Sequence, residues 1–433
     1  VVFVKNKHGK PLMPCSPRTA RLLLRNGSAK VFSRTPFTIK MLHGCGGATQ
    51  EVRAGMDSGS KVIGVAAIAN GKVVYQSETY LRGEEIKKQM YQRRSYRRSR
   101  RGRKTRYRRP RFLNRKSSLR VGRLPPSIRH KILAHLREKK FLESILPQVK
   151  WSVETASFDI HLITNPDLSQ KEGASYQKGR QLGFMNFKHF VLSRDAYTCQ
   201  DCKKNKQGTK LHVHHIVFKS KGGTNSPDNL ITLCAGCHLR IHSDPQAEKR
   251  SLKLTIKTQR KTKHATEISI LSSQLRKYFG EFEETFGYIT KFHRELAGLP
   301  KAHYMDAVII AGQGTVIEEN SSLILRRMVA KGDYQQTKGR HSEQRLITSK
   351  ILGFKKFDKI QWRGVVGFIK GRMSSGYAVM MDIFGKIIKM RPMIKLKGHR
   401  LKRLTARNLI LTSQITTEKW DILAEGRPLS SLP

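Results

Sequence analysis

Two cysteine pairs with matched spacing lie near the middle of the 433-residue chain. Cys199 and Cys202 form one Cys-x2-Cys pair, and Cys234 and Cys237 form the other. Two such pairs supply the four thiolates of a tetrahedral structural Zn²⁺ site, whereas six cysteines in a long chain do not suggest a disulfide framework. The spacing predicts a small domain held together by zinc, with disulfides as the weaker alternative.

Three widely separated acidic residues each stand at the edge or end of a hydrophobic element: Asp57, Glu154 and Asp306. Phosphodiester hydrolysis needs carboxylates that converge on two divalent ions about 3.5–4 Å apart. In a strongly basic chain, acids set against buried strands are good candidates for such ligands. The alternative is an unrelated α/β sheet in which these acids are incidental.

The charge of the chain points to a polyanionic partner. It contains 85 Lys and Arg against 31 Asp and Glu, a formal net charge of +54, and a compact protein with this charge repels itself. Residues 82–123 hold nineteen basic residues and two acids, with Tyr91, Tyr96 and Tyr107 among them. We interpret 87–101 as an Arg-rich helix that becomes ordered along a phosphate backbone. A solvated linker is the alternative.

The predicted contacts of this segment with nucleic acid are all arginines: Arg93, Arg94, Arg97, Arg98, Arg100, Arg101, Arg103 and Arg106. The apolar runs are too short for a membrane span of about 18 residues, and the first residues have no signal-peptide pattern. Composition therefore predicts an intracellular nucleic-acid-binding protein rather than a membrane or secreted one. We expect it in the cytoplasm of a prokaryote, associated with the nucleoid.

The elements that must position the acids form an α/β pattern. Asn70-Gly71 separates two β-rich runs, a strong type I′ hairpin signal, and apolar residues at helical spacing over 128–146 lead into a strand that ends near Glu154. We predict that both belong to one sheet, divided by the basic insertion. Earlier in the chain, Thr19 to Arg25 is predicted as a basic helix that precedes a short strand.

Downstream, 267–279 is predicted as a helix, FGYITKF as a strand and KAHYMDAVIIAG as a helix. No fold is assigned to 313–350, which is polar. Residues 354–411 form a predicted β-rich meander with turns at Ser374-Ser375-Gly376 and Phe384-Gly385.

Three of these segments resemble the motifs of a known nuclease fold. MDSGSKVIG, WSVETAS and KAHYMDA look like the three split motifs of a RuvC-type nuclease, which has an RNase H-like fold. The resemblance implies that Asp57, Glu154 and Asp306 hold two Mg²⁺ ions. It also implies that His303 assists proton transfer at the attacking water.

The zinc-binding segment also contains the sequence LHVHHI, followed by Asn229 and Cys237-His238, and so resembles the HNH endonuclease motif of a ββα-metal fold. By that resemblance His215 is the general base, His214 and His238 are ligands of one Mg²⁺ ion, and Asn229 holds the loop that orients His215. His214 stands where the family often has Asp. His212 and His242 are interpreted as structural or surface residues, and a zinc module without catalysis is the alternative.

The order of these parts resembles the IscB family, transposon-encoded relatives of type II CRISPR effectors, and KPLMPCSPRTARLLL looks like the N-terminal domain of that family. The resemblance implies an RNA-guided DNA endonuclease that acts as a monomeric ribonucleoprotein with a structured guide RNA, the ωRNA. Its HNH site would cut the guide-paired strand and its RuvC site the displaced strand of a double-stranded target with a target-adjacent motif. Alternatives are a protein-only nuclease and an inactive nucleic-acid-binding accessory protein.

The implied fold is multidomain α/β, with a RuvC domain split in three, an Arg-rich bridge helix, an inserted HNH domain with a zinc ribbon, and a C-terminal β-rich domain. The basic candidates for contacts with the target-adjacent motif lie in 351–433: Arg363, Lys370, Arg372, Lys395, Lys397, Arg400, Lys402 and Arg403. The expected boundaries are 1–50 (N-terminal), 51–81 (RuvC part I), 82–123 (bridge helix and linker), 124–183 (RuvC part II and linker), 184–245 (HNH), 246–335 (linker and RuvC part III) and 336–433 (RNA and target-adjacent-motif domain).

Overall fold

The mixed α/β architecture is that of a computed structural model. It describes residues 1–44, 46–102, 122–156, 184, 186–203, 210–218, 227–243, 263–313, 322–330, 350–390, 392–398, 400–417 and 420. The chain divides into two compact units, Val1–Ser157 with Glu267–Pro433, and Phe158–Thr266. No described helix is long and apolar enough to cross a lipid bilayer.

The first unit begins with a small sheet of order β2-β1-β4-β3. Its elements are β1 (Val2–Lys5), β2 (Pro11–Cys15), α1 (Pro17–Arg25), β3 (Ala29–Arg34) and β4 (Phe37–Met41). The Ser16 hydroxyl caps α1 by accepting a hydrogen bond from the backbone N–H of Thr19 at 3.1 Å. The predicted basic helix followed by a short strand is confirmed.

A seven-stranded sheet of order β11-β8-β5-β6-β7-β12-β19 forms the centre of the first unit. Asn70 and Gly71 have φ of 50° and 71°, the positive values that a two-residue type I′ hairpin needs. The strands are β5 (Val52–Asp57), β6 (Val62–Ala69), β7 (Lys72–Tyr80), β8 (Val149–Glu154), β11 (Glu283–Thr285), β12 (Ser322–Met328) and β19 (Ile410–Thr416). The predicted hairpin is confirmed, and its strands share one sheet with β8, as expected.

Helices cover both faces of this sheet. Met56 packs with Ile132 and Leu275 on one face, and Ala66 packs with Ala307 and Val308 on the other. This division follows from the alternation of side chains along a strand. The helices of this unit after α1 are α2 (Gly83–Gly102), α3 (Pro126–Glu143), α6 (Lys263–Tyr278), α7 (Gly287–Leu296) and α8 (His303–Gly312).

Two local predictions are wrong. FGYITKF was expected to be a strand, but the chain forms only β11 before it and then the helix α7. The apolar residues alternate in the sequence as they would in a half-buried strand. In the structure the segment is a helix, and its aromatic side chains are exposed, so the alternation does not mark a buried face. The polar region 313–350, which received no fold, contains the strand β12.

A buried ion pair explains why β12 was missed. Arg326, in the middle of this strand, is buried and donates from Nη1 to Oε2 of the buried Glu138 on α3 at 2.6 Å. Its guanidinium also lies 3.8 Å from the ring centroid of Phe141. The two arginines of SLILRRM make the strand look like a surface segment, but tertiary partners satisfy the charge of one of them.

The C-terminal region forms a second sheet of order β16-β15-β14-β13-β18, with β17 paired to β15. The predicted β-rich meander is confirmed, but its last strand, β19, pairs with β12 in the seven-stranded sheet instead. The strands are β13 (Lys359–Trp362), β14 (Val365–Arg372), β15 (Tyr377–Met381), β16 (Ile387–Ile388), β17 (Ile394–Lys395) and β18 (Leu401–Thr405).

The second unit is built around an antiparallel hairpin and a helix. Strands β9 (Leu211–His215) and β10 (Leu230–Cys234) pair, and α5 (Ala235–Ser243) follows directly. Helix α4 (Phe187–Arg194) precedes them, and the Arg194 guanidinium donates to the backbone oxygens of Pro227 and Leu230. The order β9-β10-α5 is a ββα arrangement.

Candidate functional site

Two of the predicted carboxylates meet at one end of the seven-stranded sheet. Asp57 ends β5 and Glu154 ends β8, and the two residues are direct partners in the parallel pairing of these strands. The Ser58 hydroxyl donates to the backbone oxygen of Glu154 at 2.5 Å, which fixes the turn after β5 against the end of β8. Adjacent parallel strands thus place both acids side by side although ninety-seven positions separate them in the chain.

Helix α8 brings the third carboxylate and the predicted histidine to the same place. Nδ1 of His303 lies 2.5 Å from Oδ2 of Asp57. Asp306, one helical turn later, accepts a hydrogen bond at Oδ1 from Nη1 of Arg294 at 2.6 Å. The structure therefore brings together all four residues that the sequence assigned to this site.

Two glycines allow α8 to approach the sheet closely. A Cβ on Gly64 would lie 1.8 Å from the backbone oxygen of His303, and one on Gly55 would lie 2.1 Å from that of Ala307. Any side chain at either position would push the helix away from β5 and β6. The glycines of AGMDSGSKVIG thus set the distance between the acids on the strands and those on the helix.

Burial and mutual repulsion disfavour negative charge at this site. Burial, together with the nearby Asp57, raises the pKa of Glu154 to about 7. Burial also raises the pKa of Asp306 despite its bond to Arg294. Burial opposes the charged form of His303, but the hydrogen bond and attraction of Asp57 outweigh it and raise the pKa of this imidazole. A bound cation would relieve the repulsion among the acids.

The donor set fits a hard divalent cation. Three carboxylates from two strands and one helix offer the oxygen ligands that Mg²⁺ prefers. His303 and Arg294 supply positive hydrogen-bond partners to two of these carboxylates. Asp57, Glu154 and Asp306 are therefore the residues that could hold the ions.

Sequence analysis missed the positioning residues on α7. Thr290 donates from Oγ1 to Oε2 of Glu154 at 2.9 Å, and Arg294 holds Asp306. The two lie four positions apart, so one helical face carries both. A spacing of four identifies one face of a helix, but the sequence pattern predicts a strand for the segment that contains Thr290.

Glu78 on β7 is a second missed positioning residue. It is buried, and its Oε1 accepts the backbone N–H of His303 at 3.1 Å and that of Tyr304 at 3.4 Å. These N–H groups belong to the first turn of α8. The backbone N–H groups of a first turn have no acceptor within the helix. Glu78 thus fixes the start of the helix that carries His303 and Asp306.

The second unit gathers three histidines. The coordinating nitrogens of His214, His238 and His242 all lie within 4.8 Å of one another. His238 and His242 are one turn apart on α5, and their ring centroids are 4.6 Å apart. His242 was interpreted as structural or surface, and its spacing of four from His238 was the signal that places it in this cluster.

His212 and Asn229 support the cluster. The His212 ring stacks on that of His238 with centroids 5.0 Å apart. Asn229 is buried, and its side chain accepts from the backbone N–H of Val217 at 2.9 Å and donates to the oxygen of the same residue at 3.1 Å. It therefore holds the chain two residues beyond His215.

Burial favours the neutral ring at His214 and at His238. Burial, and then the nearby His238 and His242, lower the pKa of His214 to about 4. Nε2 of His214 is buried and has no hydrogen-bond partner among the described residues. A neutral ring with an unpartnered nitrogen beside two other imidazoles is suited to a metal ion. Three nitrogens favour a borderline transition metal over Mg²⁺, which differs from the expected ion.

The four cysteines form one tetrad. All four Sγ atoms lie within 4.8 Å of one another, and those of Cys202 and Cys234 are 3.9 Å apart. A tetrahedron with Zn–S distances of about 2.3 Å separates its sulfurs by about 3.8 Å, so the group could bind zinc. Burial opposes the Cys199 thiolate, but backbone N–H groups, including that of Cys202, lower its pKa to about 7, which favours metal binding.

The Arg-rich segment forms a twenty-residue helix, α2. The side chains of Arg93, Arg94, Arg97 and Arg98 are exposed along it. Arg100 and Arg101 belong to the same helix, whereas Arg103 and Arg106 lie outside the described residues.

The start of α2 is fixed to the first unit by an ion-pair network. The Glu267 carboxylate on α6 accepts from the ammonium groups of both Lys87 on α2 and Lys131 on α3. Lys131 is buried, and a Cβ on Gly83 would lie 3.0 Å from its Cε. The network holds one end of the basic helix, and the exposed arginines follow it along the chain.

The C-terminal sheet carries a groove of about 520 Å³ lined by three of the predicted basic contacts, Arg363, Lys395 and Arg400. Trp362 and Tyr377 contribute aromatic walls, and the Arg363 guanidinium lies 4.6 Å from the ring centroid of Trp362. Lys370, Arg372 and Arg403 donate to backbone oxygens instead. Lys397 and Lys402 are exposed.

Comparison with known proteins gives two family matches. Residues 2–179 match the family described as RRXRR protein, and residues 199–244 match the family described as HNH endonuclease. The histidine cluster and the cysteine tetrad lie in the second match. The two families support a nuclease.

Two curated relatives match over short segments. One is the type IV methyl-directed restriction enzyme EcoKMcrA of Escherichia coli (strain K12), 31% identical over 68 residues, which is 14% of this chain and 24% of that protein. The other is Anaredoxin of Nostoc sp. (strain PCC 7120 / SAG 25.82 / UTEX 2576), 33% identical over 52 residues, which is 12% of this chain and 66% of that protein. The chain thus spans less than two thirds of either relative.

The RRXRR match precedes the HNH match along the chain. That order agrees with the resemblance in the N-terminal residues, the Arg-rich helix and the inserted Cys and His residues. The two matches and their order fit an IscB-like protein.

Proposed function

We propose that this protein is an RNA-guided DNA endonuclease with two active sites, one at the carboxylates of the seven-stranded sheet and one at the histidine cluster. The observation that carries the proposal is the meeting of Asp57, Glu154 and Asp306, from three distant segments, in a chain that also contains an HNH domain. A second hydrolytic site beside an HNH site suits an enzyme that cuts both strands of a duplex.

The strand order supports the RuvC assignment. β7, β6 and β5 are antiparallel neighbours, and β8 and β11 continue the sheet in parallel from β5. Three antiparallel strands followed by two parallel ones is the arrangement expected of an RNase H-like sheet, with acids at the ends of the first and fourth strands. The segments then correspond to the three split parts, with α2 as the bridge helix between the first two.

At the carboxylate site, Asp57, Glu154 and Asp306 would hold two Mg²⁺ ions, which when bound stabilise the attacking and leaving oxygens of the phosphodiester. His303 is poised to move a proton through its ring, because its Nδ1 is engaged by Asp57 and its pKa is raised. Thr290 and Arg294 keep Glu154 and Asp306 in place. This site would cut the displaced strand.

At the histidine cluster, His215 is the proposed general base that takes a proton from water, with Asn229 fixing the loop beyond it. His214, His238 and His242 would hold the metal ion, which lowers the cost of the developing negative charge when bound. The cysteine tetrad would stabilise the fold of this domain through Zn²⁺. This site would cut the guide-paired strand.

The charge distribution supports a structured guide RNA as a resident partner. The exposed arginines of α2 would hold the RNA and its duplex with the target through the phosphate backbone, while base pairing reads the sequence. The aromatic and basic groove of the C-terminal sheet is the proposed contact for the RNA or the target-adjacent motif. Binding should weaken steeply as salt rises.

Plasmid cleavage tests the proposal. The purified protein with its co-purifying RNA is compared with the same protein after ribonuclease treatment, in Mg²⁺ alone and in Mg²⁺ with a borderline transition metal, on a plasmid that carries the guide sequence and a library of flanking motifs. Cutting that needs the RNA and follows a reprogrammed guide is the expected result. Equal cutting without RNA would indicate a protein-only nuclease, and tight RNA binding without cutting in either arm would indicate an accessory protein.

A further inference from the structure

Helix α7 carries an exposed apolar row. Tyr288, Phe292 and Leu296 are 73%, 64% and 75% exposed. They recur every four residues, so they form one stripe about 12 Å long on the helix surface. Three large apolar side chains left in solvent on one ten-residue helix need a reason, because removing apolar surface from water is favourable.

The opposite face of the same helix supports the carboxylate site. Thr290 and Arg294 are buried and bind Glu154 and Asp306. Each of them lies two positions from a residue of the stripe. Because a single helix separates the two faces, anything held on the stripe lies about 10–12 Å, one helix diameter, from the side that binds the acids.

The stripe also begins next to the site. Phe286 precedes α7, and its ring is parallel to that of Tyr288, with an interplanar angle of 6° and centroids 6.0 Å apart. A Cβ on Gly287, between these aromatics, would lie 3.0 Å from Oε1 of Glu154. The aromatic surface therefore starts next to a glycine at which a side chain would crowd the Glu154 carboxylate.

We infer that this row, Phe286, Tyr288, Phe292 and Leu296, is a stacking platform for unpaired bases of the DNA strand that the carboxylate site cuts. The inference rests on the proposed function of that site and names how its substrate is held. Base–aromatic stacking contributes about 1–3 kcal/mol per base and tolerates any sequence, because every base has a π face. A guide-directed nuclease needs this tolerance on the displaced strand.

The charges on this face suit a strand that is held by its bases. A cation placed near the acids would pair with them, as Arg294 does with Asp306, and would not be available to phosphates. Stacking needs no charge and so works beside three carboxylates. The exposed Lys301 lies beyond the C-terminal end of α7, where it can meet the backbone of the same strand.

Strand-specific cleavage by the RNA-loaded protein tests the platform, with each strand of the target labelled separately. Phe292→Ala should slow displaced-strand cutting roughly tenfold and leave guide-paired-strand cutting unchanged. Phe292→Tyr should restore the rate, whereas Phe292→Leu should not, because leucine is apolar but has no π face. Tyr278→Ala, which removes an exposed tyrosine of α6, is the matched control and should have no effect.

A modified substrate makes the test specific for stacking. Abasic positions are placed in turn along the displaced strand near its cut site. At the stacked positions they should slow the wild-type protein and have no further effect on Phe292→Ala. An equal abasic effect in both proteins, rescue by Phe292→Leu, or slower cutting of both strands by Phe292→Ala would overturn the inference.

Failure of the proposed function gives a different result, since the wild-type protein would then not cut the displaced strand at all. In that case photocrosslinking of a single-stranded oligonucleotide containing 5-iodouracil decides the inference. Crosslinks to Tyr288 or Phe292 would support the platform without the nuclease assignment. Crosslinks confined to α2 would overturn it.

Discussion

The two candidate sites of this chain are assembled in opposite ways. The carboxylate site draws Asp57, Glu154, Asp306 and their partners from strands and helices spread over about 250 residues. The histidine cluster lies within 212–242, on one hairpin and the helix that follows it. The first site exists only if the whole seven-stranded sheet forms, whereas the second depends on a small unit held around its cysteines.

Burial shifts pKa values in opposite directions at the two sites. It raises the pKa of Glu154 to about 7 and lowers that of His214 to about 4, so each site disfavours its own charged form. Protonated acids and neutral imidazoles differ, however, in readiness for metal. Glu154 must lose a proton to bind a cation, whereas His214 is already neutral near pH 7. The comparison teaches that the histidine cluster is the more preorganised site.

The largest expected effect comes from the cysteine tetrad. Cys199→Ser should abolish zinc binding and unfold the small unit, because structural zinc contributes about 10–16 kcal/mol in comparable peptides. Native mass spectrometry should show the loss of one zinc, and hydrogen exchange should show lost protection in 199–243 with the strands of the large sheet still protected. Cys15→Ser, outside the tetrad, is the control. Retained zinc and unchanged protection would contradict the tetrad assignment.

The next largest effect separates the two proposed active sites. His215→Ala should slow cutting of the guide-paired strand by about 10²–10⁴-fold, the usual contribution of a general base, and leave the displaced strand unaffected. Asp57→Ala should show the reverse pattern. Denaturing gels with each strand labelled measure both rates. If either change stopped both cuts while target binding survived, the assignment of one strand to each site would be wrong.

Arg294 tests how far the carboxylate site depends on buried partners. Arg294→Ala leaves the Asp306 carboxylate buried without its ion pair and should cost about 3–5 kcal/mol of unfolding free energy. Arg276→Ala removes a more exposed pair with Glu284 and should cost less than about 1 kcal/mol. Urea unfolding of the two variants measures both values. Similar losses for the two would show that the Asp306 pair is not a buried anchor.

The smallest expected effect is at Thr290. Thr290→Val removes one hydrogen bond to Glu154 and should slow displaced-strand cutting about fivefold, which corresponds to about 1 kcal/mol. Thr290→Ser keeps the hydroxyl and should retain most of the rate. The same single-turnover assay measures both. An effect on the guide-paired strand would point to a change in overall stability instead.

Much of the fold was predictable where local pattern and tertiary role agree. The Asn70-Gly71 hairpin follows from turn chemistry, and the helices before β8 and over 303–312 follow from the spacing of apolar residues. The Arg-rich helix follows from a basic run without Gly or Pro over 87–101. The failures share a cause. α7 has aromatic residues in solvent and β12 has a buried arginine. In both elements, therefore, the polarity of a residue does not predict whether it is buried.

The candidate site residues show the same division. The acids, His303, the cysteines and the His-His pair were named from the sequence because each belongs to a short motif. Thr290, Arg294 and Glu78 were not, because they act by supporting other residues and carry no motif of their own. His242 is an intermediate case. Its spacing of four from His238 indicates a shared helical face, but it belongs to no motif that the sequence analysis uses.

The sequence by itself determined the chemistry available to this protein: three acids, a histidine cluster, a cysteine tetrad and a basic helix. These depend on residue type and short spacing, which the chain carries locally. Only the tertiary structure decided that strands β5 and β8 pair in the register that joins Asp57 to Glu154. It also decided that α7 turns Thr290 and Arg294 to the acids and its aromatics to solvent. Both outcomes depend on long-range packing, which no local pattern specifies.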